Sequence, residues 1–453
     1  MSGIYTRIVS GLIFPLHERL KGHTSVALRR ALEESQWWDR AALDALRLAR
    51  LQALVQRAYT QVPYYRRLMD ERGFTPEAID SLAAIERFPF LDKAEIRAHT
   101  DDFKARDARA LARFNTGGSS GEPLVFFIGR ERVSHDVAAK WRATRWWGVD
   151  IGDPEAVVWG SPIELGTQDR VRQWRDRLLR TRLLPAFAMS SDNLDGFVRE
   201  IRRLRPRMLF GYPSSLALIA RHARQAGQRM DDLGIRVAFV TSERLYDDQR
   251  AAIAETFGCP VANGYGGRDA GFIAHQCPQG SMHLTAEDLL IEIVDPQGRV
   301  LPEGQAGEIV ATHFATGDFP FIRYRTGDIG VLGPADCPCG RGLPVLKEIQ
   351  GRATDFVVAR DGTLMHGLAL IYVVRDLPGI ARFKIVQESL DHTRVLIEPG
   401  PGYDAGVQEL VAAGLRRRLG HAVRIEVETV ERLAAEPSGK FRYVVSKASA
   451  AHA

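Results

Sequence analysis

Hydrophobic and polar positions change their rhythm along this chain, and each rhythm predicts a different kind of structure. From residue 24 to about 110 the period is helical, as in Arg40-Ala-Ala-Leu-Asp-Ala-Leu-Arg-Leu-Ala-Arg-Leu-Gln-Ala-Leu-Val55. Glu155-Ala-Val-Val-Trp159, Arg207-Met-Leu-Phe210 and Ile235-Arg-Val-Ala-Phe-Val240 then read as buried strands, each reaching a polar or glycine-containing turn. Between the last two, Ser214-Ser-Leu-Ala-Leu-Ile-Ala-Arg-His-Ala-Arg224 has helical spacing. Strand, turn, helix, strand predicts a largely parallel α/β sheet, whose ligands sit beyond the carboxyl ends of the strands. After about residue 285 the texture becomes short strands with Gly/Pro turns, Leu289–Val294 and Gly307–Thr312, which predicts a β subdomain. Beyond Gly351-Arg352 follows a tail long enough for a small α+β lid domain. The expected fold class is therefore α/β. A large N-terminal domain spans 1–350, helical over about 1–110 and with the β subdomain over about 285–350, and a lid spans 351–453.

Composition adds limits. A chain of 453 residues, 45% hydrophobic and 26% charged, fits an ordinary soluble globular protein of two or three domains. Its 61 basic and 56 acidic side chains leave +5, spread thinly, and no nucleic-acid-binding motif accompanies that charge. No nucleic-acid partner is expected. The apolar N-terminus is broken by Arg7, Ser10 and Gly11, stops at Pro15 and lacks an Ala-x-Ala cleavage site. No stretch approaches the ~20 apolar residues of a membrane span, so no transmembrane segment and a cytoplasmic location are expected. The first helix is expected to pack on the body of the protein, ahead of a shallow membrane contact. The run Asp169–Arg182 holds six arginines and reads as a solvated helix face in preference to a contact with anionic lipid or acidic glycan.

Candidate chemistry begins at Phe114-Asn-Thr-Gly-Gly-Ser-Ser-Gly-Glu-Pro123. Its glycines let backbone N–H groups approach phosphate oxygens, while Thr116, Ser119 and Ser120 add hydroxyl donors. It is no Walker A loop, because no Gly-Lys-Ser/Thr closes it. Alone such a loop is weak evidence. It is followed in order by Gly211-Tyr-Pro-Ser-Ser215, Thr241-Ser-Glu-Arg244, Gly264-Tyr-Gly-Gly-Arg-Asp269, Arg323-Tyr-Arg-Thr-Gly-Asp328, Gly351-Arg352 and Pro437-Ser-Gly-Lys-Phe-Arg442. A serine hydrolase is a poor reading, since Ser214, Ser215 and Ser242 lack a Gly-x-Ser-x-Gly elbow.

This ordered set resembles the adenylate-forming superfamily. Within it the chain looks most like the phenylacetate–CoA ligase branch, with its CapK-like and deazaflavin-coenzyme synthetase-like members. The resemblance runs from about Val62-Pro-Tyr-Tyr-Arg66 to the C-terminus. It implies ATP-dependent activation of a small-molecule carboxylic acid as an acyl-adenylate, then acyl transfer, with CoA the first expected acceptor. A non-CoA acceptor in capsule or exopolysaccharide assembly is the alternative, and a non-catalytic nucleotide-binding homologue a further one.

By this resemblance Thr116, Gly117, Gly118, Ser119, Ser120 and Gly121 hold the β/γ-phosphates, and Tyr265 and Gly266 border adenine and α-phosphate. Asp328 accepts the ribose hydroxyls, Arg352 contacts the nucleotide, Lys440 is the catalytic cation, and the hinge falls at Asp355. Three positions depart from the family pattern. Glu122 stands where many relatives carry Lys, Thr354-Asp355 replaces paired acids, and Asp269 stands where most have Glu as the Mg²⁺ ligand. Asp269 is shorter, so a water bridge to Mg²⁺ is expected.

The four cysteines supply a second signal. Cys277-Pro-Gln-Gly-Ser-Met-His283 and Cys337-Pro-Cys-Gly-Arg341 each look like a ligand turn. Cys277, Cys337, Cys339 and His283 would complete a closed tetrahedral structural Zn²⁺ site, in preference to a set of reduced buried thiols. His275 is the rival imidazole, and Cys259 is expected in the core. Such a zinc is expected to brace the β subdomain. Trp159, Tyr212 and Phe239 are expected either to line an acyl pocket or to belong to the core.

Overall fold

The computed structural model describes residues 3–115, 124–159, 170–186, 191–352, 356–360, 364–366, 368–375, 377–404, 406–433 and 442–448. The chain divides into two compact units, Met1–Thr326 with Gly330–Ile349, and Gly327–Ile329 with Gln350–Ala453.

The first unit opens with helices. Helix α1 is α-helical over Ile4–Ile8 and Phe14–Leu20 and π-helical over Val9–Ile13 between them. Then come α2 (Ser25–Ser35) and α3 (Arg40–Gln61). Asp39 caps α3 by accepting the Ala42 N–H at 2.8 Å, and Pro63 stops it by disfavouring helical backbone at Val62. Leu43, Leu51, Leu54, Val55 and Ala58 recur at helical spacing and are buried, which is why this amphipathic stretch folds as a helix. A hairpin, β1 (Ala112–Asn115) and β2 (Val125–Ile128), leads into α4 (Arg130–Trp146).

Strands and helices then alternate: β3 (Glu155–Trp159), α5 (Arg170–Leu178), β4 (Thr181–Pro185), α6 (Ser191–Leu204), β5 (Met208–Gly211) and α7 (Pro213–Gln225). The pattern continues through β6 (Val237–Thr241), α8 (Asp247–Phe257) and β7 (Val261–Gly267). The remaining strands are β8 (Gly271–Gln276), β9 (Met282–Leu284), β10 (Leu289–Val294), β11 (Ala306–His313), β12 (Tyr324–Gly333) and β13 (Val345–Arg352).

Strands β3 to β13 form one 11-stranded sheet in the order β10-β11-β12-β13-β9-β8-β7-β6-β5-β3-β4. The half containing β4, β3, β5, β6 and β7 is parallel, as the alternation of strands and helices predicts. The turn Gly267–Gly271 is too short for a crossover helix, so β8 returns antiparallel. The strands expected as a β subdomain thus continue the main sheet instead of forming a sheet of their own. Val158, Leu209, Leu216, Ile219, Val240 and Phe257 fill the core against the parallel half. Among the described residues no helix is long and apolar enough to cross a membrane.

The second unit is α+β. Strands β14 (Phe356–Val358) and β15 (Leu364–His366) form a hairpin, followed by α9 (Leu368–Arg375), β16 (Ile380–Ser389) and β17 (His392–Pro399). Then come α10 (Gly406–Leu419), β18 (Arg424–Thr429) and β19 (Val444–Ser446), with the four-stranded order β18-β17-β16-β19. Gln387, fully buried, ties β14 to this sheet: its amide donates to Val358 O at 2.7 Å and accepts from Val358 N at 3.1 Å.

Candidate functional site

Parallel register gathers three of the quoted segments on one edge of the sheet. Val158 pairs with Gly211, Gly211 with Val240, and Thr241 with Gly264, so β3, β5, β6 and β7 end side by side. Gly211–Ser215, Thr241–Arg244 and Gly264–Asp269 therefore converge beyond the carboxyl ends of the strands, where open α/β sheets bind ligands. Trp159, closing β3, stacks on Tyr212 with centroids 4.5 Å apart. Glu243 accepts the Ser214 N–H at 3.2 Å at the amino end of α7, where backbone donors lack helical partners. Ser242 holds φ +71°, a left-handed backbone that a non-glycine residue keeps only when its surroundings enforce it. Phe239 is core: it is 2% exposed and packs against Phe210 and beneath Gly264.

The turn after β7 carries Tyr265, Gly266 and Asp269. A side chain at Gly266 would fall onto the Gly271 carbonyl oxygen, so only glycine allows β7 and β8 to close this tightly. Two buried residues fix Asp269 from outside the turn. The Tyr324 hydroxyl donates to Asp269 Oδ2 at 2.7 Å, while Oδ1 accepts the Ala270 N–H at 3.1 Å. Arg132, 2% exposed on α4, donates to the Asp269 and Arg268 carbonyls at 3.3 and 3.4 Å and to Asp136 Oδ2 at 3.0 Å.

A second charged layer lies behind Arg132. Asp288 Oδ1 meets His135 Nδ1 at 2.6 Å and Arg50 Nη1 at 2.7 Å. Burial opposes charge on both partners, yet Asp288 raises the His135 pKa and His135, with Arg50, lowers that of Asp288. His313 beside them is pushed well below its ordinary value by burial and by Arg132. Sequence reading missed Arg132, Asp136, His135 and Asp288. Tyr324 lay inside a quoted segment, without a role. Its neighbour Arg323 is a clamp: it pairs with Glu292 at 2.8 Å and donates to Phe88 O at 3.0 Å.

Of the other nucleotide candidates, Asp328 is half-buried on β12 directly after Gly327, whose φ of +75° requires a left-handed backbone. Arg352 is the last residue of β13. Thr116, Gly117, Gly118, Ser119, Ser120, Gly121, Glu122, Asp355 and Lys440 lie outside the described residues. The ends of the 116–123 loop are brought together by β1 and β2, where Asn115 pairs with Val125.

A separate cluster assembles at the far end of β8. The ligand atoms of Cys277, His283, Cys337 and Cys339 all lie within 4.8 Å of one another. Cys277 Sγ is 3.6 Å from Cys337 Sγ, and Cys339 Sγ is 3.2 Å from His283 Nε2. Both turns read Cys-Pro-x-Gly, and both fold alike. Gly280 N donates to Cys277 O at 2.9 Å and Gly340 N to Cys337 O at 3.1 Å, each glycine having positive φ. His283 Nδ1 donates to Leu343 O at 3.2 Å, which leaves the Nε2 lone pair facing the sulfurs. Burial, with Arg341 and Arg142, pushes His283 down to about 4, so it is neutral. Burial pushes the Cys277 thiol up to about 11, so its thiolate requires a cation beside it.

Three sulfurs and one imidazole at these separations fit a tetrahedral Zn²⁺. His275, the rival, is buried between Phe272 and Phe239, away from this set. Cys259 is core, with burial pushing its thiol up to about 12. The 337–342 turn docks on the N-terminal helices: Gln36 accepts from Arg341 Nε at 3.0 Å, and the Arg341 guanidinium lies between the Trp37 and Trp146 rings. The turn that carries Cys337 and Cys339 therefore joins the sheet to the N-terminal helices.

Family models match segments in both units of the chain. The AMP-binding enzyme family matches residues 181–314, and the CapK C-terminal domain matches residues 357–447. Phenylacetate-coenzyme A ligase of Thermus thermophilus is 27% identical over 432 residues, covering 90% of this chain and 95% of that protein. Protein CapK of Staphylococcus aureus is 23% identical over 394 residues, covering 84% of each. The structure of 2-hydroxyisobutyryl-CoA ligase in the postadenylation state, in complex with 2-HIB-AMP, has a TM-score of 0.74 at 24% identity and covers 92% of both chains. That likeness shows a shared fold.

Proposed function

The chain belongs to the adenylate-forming superfamily, in its phenylacetate–CoA ligase and CapK branch, and on that premise we propose that it activates a carboxylic acid as an acyl-adenylate and passes the acyl group to CoA. The observation that carries the reading is the convergence of Gly211–Ser215, Thr241–Arg244 and Gly264–Asp269 on one edge of the sheet. A carboxylate oxygen of the acid attacks the α-phosphorus of ATP, and the bond to pyrophosphate breaks. The acceptor thiolate then attacks the acyl carbonyl, and AMP leaves with its electron pair. Both steps bring anions together, so the protein must hold phosphates and neutralise charge at the transferred phosphorus.

In this reading the hydroxyls and N–H groups of Thr116–Gly121 take the β/γ-phosphates. Tyr265 and Gly266 border the adenine and α-phosphate, Asp328 accepts the ribose hydroxyls and Arg352 contacts the nucleotide. Lys440 is the cation that bridges carboxylate and α-phosphate, and its flexible ammonium suits delivery from a lid (351–453) hinged at Asp355. Asp269 is the Mg²⁺ ligand. Mg²⁺, when bound, supplies charge neutralisation to the leaving pyrophosphate. Cys277, His283, Cys337 and Cys339 hold a structural Zn²⁺ whose four protein ligands leave no position for chemistry.

The Trp159–Tyr212 stack at the carboxyl edge supports starting the substrate search with aryl acids. The CapK C-terminal match favours a second reading, in which the acceptor is a glycan or small-molecule hydroxyl or amine, as in capsule or exopolysaccharide assembly. ATP–pyrophosphate exchange with pools of aryl, fatty, hydroxy and amino acids tests the first step. Exchange that depends on one pool, and disappears in Lys440→Ala, supports adenylation, and consumption of CoA then decides the acceptor. Exchange retained in Lys440→Ala removes that residue from the chemistry. ATP binding without exchange in any pool counts against the whole reading.

A further inference from the structure

Helix α1 packs by one face and leaves an apolar stripe on the other. Thr6, Val9, Phe14 and Glu18 are buried against the body of the protein, as a packed first helix requires. On the opposite side Ile4, Ile8, Leu12, Leu16 and Leu20 are exposed, with Leu12 at 65% and Leu20 at 80%. An i,i+4 series drifts by about 40° per step around an α-helix, because four residues slightly exceed one turn. The π turn at Val9–Ile13 is wider and takes back part of that drift, so the five side chains stay on one face. A stripe of this length on the surface of a monomer marks a contact.

Helix α5 lies alongside. Tyr5 donates its hydroxyl to Leu178 O at 2.8 Å, and the Arg180 guanidinium sits over the Tyr5 ring. Burial, then Lys21 and Arg175, lower the His17 imidazole pKa. Helix α5 adds two more exposed apolar side chains, Trp174 at 71% and Leu178 at 42%. Among the described residues of α1 and α5 and those just after them, the exposed charges are basic. Arg7, Arg19, Lys21, Arg177 and Arg180 are exposed. Residues 3–23 contain a single acid, Glu18, which is buried and engaged by Ser25 at 2.5 Å and His23 at 3.1 Å. In α5 the acid Asp176 is paired with Arg175 at 2.6 Å.

We propose that the outer face of α1, with Trp174 and Leu178 of α5, docks this protein on an anionic lipid bilayer. The apolar stripe enters the headgroup boundary, Trp174 lies at the interface where tryptophan is favoured, and the flanking arginines and Lys21 meet lipid phosphates. A second copy of the chain fits less well. A two-fold pairing of this face would set Arg7, Arg19 and Lys21 of one copy near the same cations of the other, with no exposed acid on α1 to receive them.

Co-sedimentation of the full chain with vesicles tests this. Phosphatidylcholine alone is compared with phosphatidylcholine containing about 30% phosphatidylglycerol. Binding is expected only with phosphatidylglycerol, weakened by added salt and accompanied by a blue shift of tryptophan emission that Trp174→Ala reduces. Leu12→Ser/Leu16→Ser and Lys21→Glu/Arg177→Glu are each expected to weaken binding by about tenfold or more, with circular dichroism unchanged, since all four side chains are exposed. Absence of binding to the anionic vesicles overturns the proposal, as does binding that neither double variant weakens. A dimer in sedimentation equilibrium that Leu12→Ser/Leu16→Ser abolishes, without vesicle binding, reassigns the face to a second copy.

Discussion

The Tyr324 hydroxyl donates to Asp269 Oδ2 at 2.7 Å, joining β12 to the turn between β7 and β8. Tyr324 is completely buried, and its ring meets Phe321 edge-on at 5.1 Å, so the donor cannot swing away. Asp269 Oδ1 is held by its own turn through the Ala270 N–H. The carboxylate thus has both oxygens fixed and keeps its remaining lone pairs in a set direction. A shorter acid than the usual glutamate can serve a cation if its orientation is held this firmly.

Tyr324→Phe isolates that effect. The ring and its packing remain, and the lost hydrogen bond costs about 1 kcal/mol of stability. In pyrophosphate exchange the variant is expected to need more Mg²⁺ and to run about tenfold slower at the wild-type Mg²⁺ optimum. A Mg²⁺ titration checks this. An unchanged midpoint would separate Asp269 from the metal.

The sulfur–imidazole cluster yields a prediction independent of the acid substrate. Elemental analysis of protein purified without chelator is expected to find about one zinc per chain. Cys337→Ser should lower that content and the melting temperature by several degrees, whereas Cys259→Ser, a core thiol outside the cluster, should leave the zinc in place. Below the lowered melting temperature, Cys337→Ser should retain pyrophosphate exchange, because a closed site supports the fold and not the chemistry.

Much of this was legible from local pattern. The strands at Glu155–Trp159, Met208–Gly211 and Val237–Thr241 and the helix at Pro213–Gln225 fall where apolar runs and helical spacing put them. The repeated Cys-Pro-x-Gly exposed the cluster, and of the two imidazoles the structure brings His283 to it. What could not be read depends on partners far away in sequence. Nothing local says that Leu289–His313 continues the main sheet, since β12 and β13 are what link it to β9. Arg130-Glu-Arg-Val-Ser-His-Asp136 looks like a solvated helix start. Arg132 and His135 are nevertheless buried, by the 268–271 turn and by Asp288. Charged residues in a helix carry no local mark of the partner that will desolvate them.

The His135–Asp288 contact predicts the pH dependence of stability. His135 faces Asp288, Arg50 and Glu131, with Arg132 and His313 in the adjoining layer. Its pKa is raised in the folded protein, so the folded state holds this proton more tightly than the unfolded chain does. The stabilisation is fully present below about 6.5, the unfolded value, and is lost as pH rises through the raised folded value. Asp288 behaves oppositely: its pKa is lowered, so its contribution is present above about 4 and is lost as pH falls through the folded value. The pair therefore contributes most between about pH 4 and 6.5. His313, whose pKa is lowered chiefly by burial and less by His135, costs stability as pH falls below about 6.5, and because the burial persists in His135→Gln most of that cost is shared by wild type and variant. Urea unfolding of wild type and His135→Gln at pH 5.5, 7 and 8.5 is expected to show a gap that narrows as pH rises. Asp288→Asn, which keeps an oxygen acceptor but removes the negative charge facing both His135 and Arg50, is expected to cost about 3–5 kcal/mol at pH 6. A gap between wild type and His135→Gln that stays constant across the three pH values would mean that His135 binds its proton equally well folded and unfolded, and a gap that widens as pH rises would mean that the fold holds it neutral.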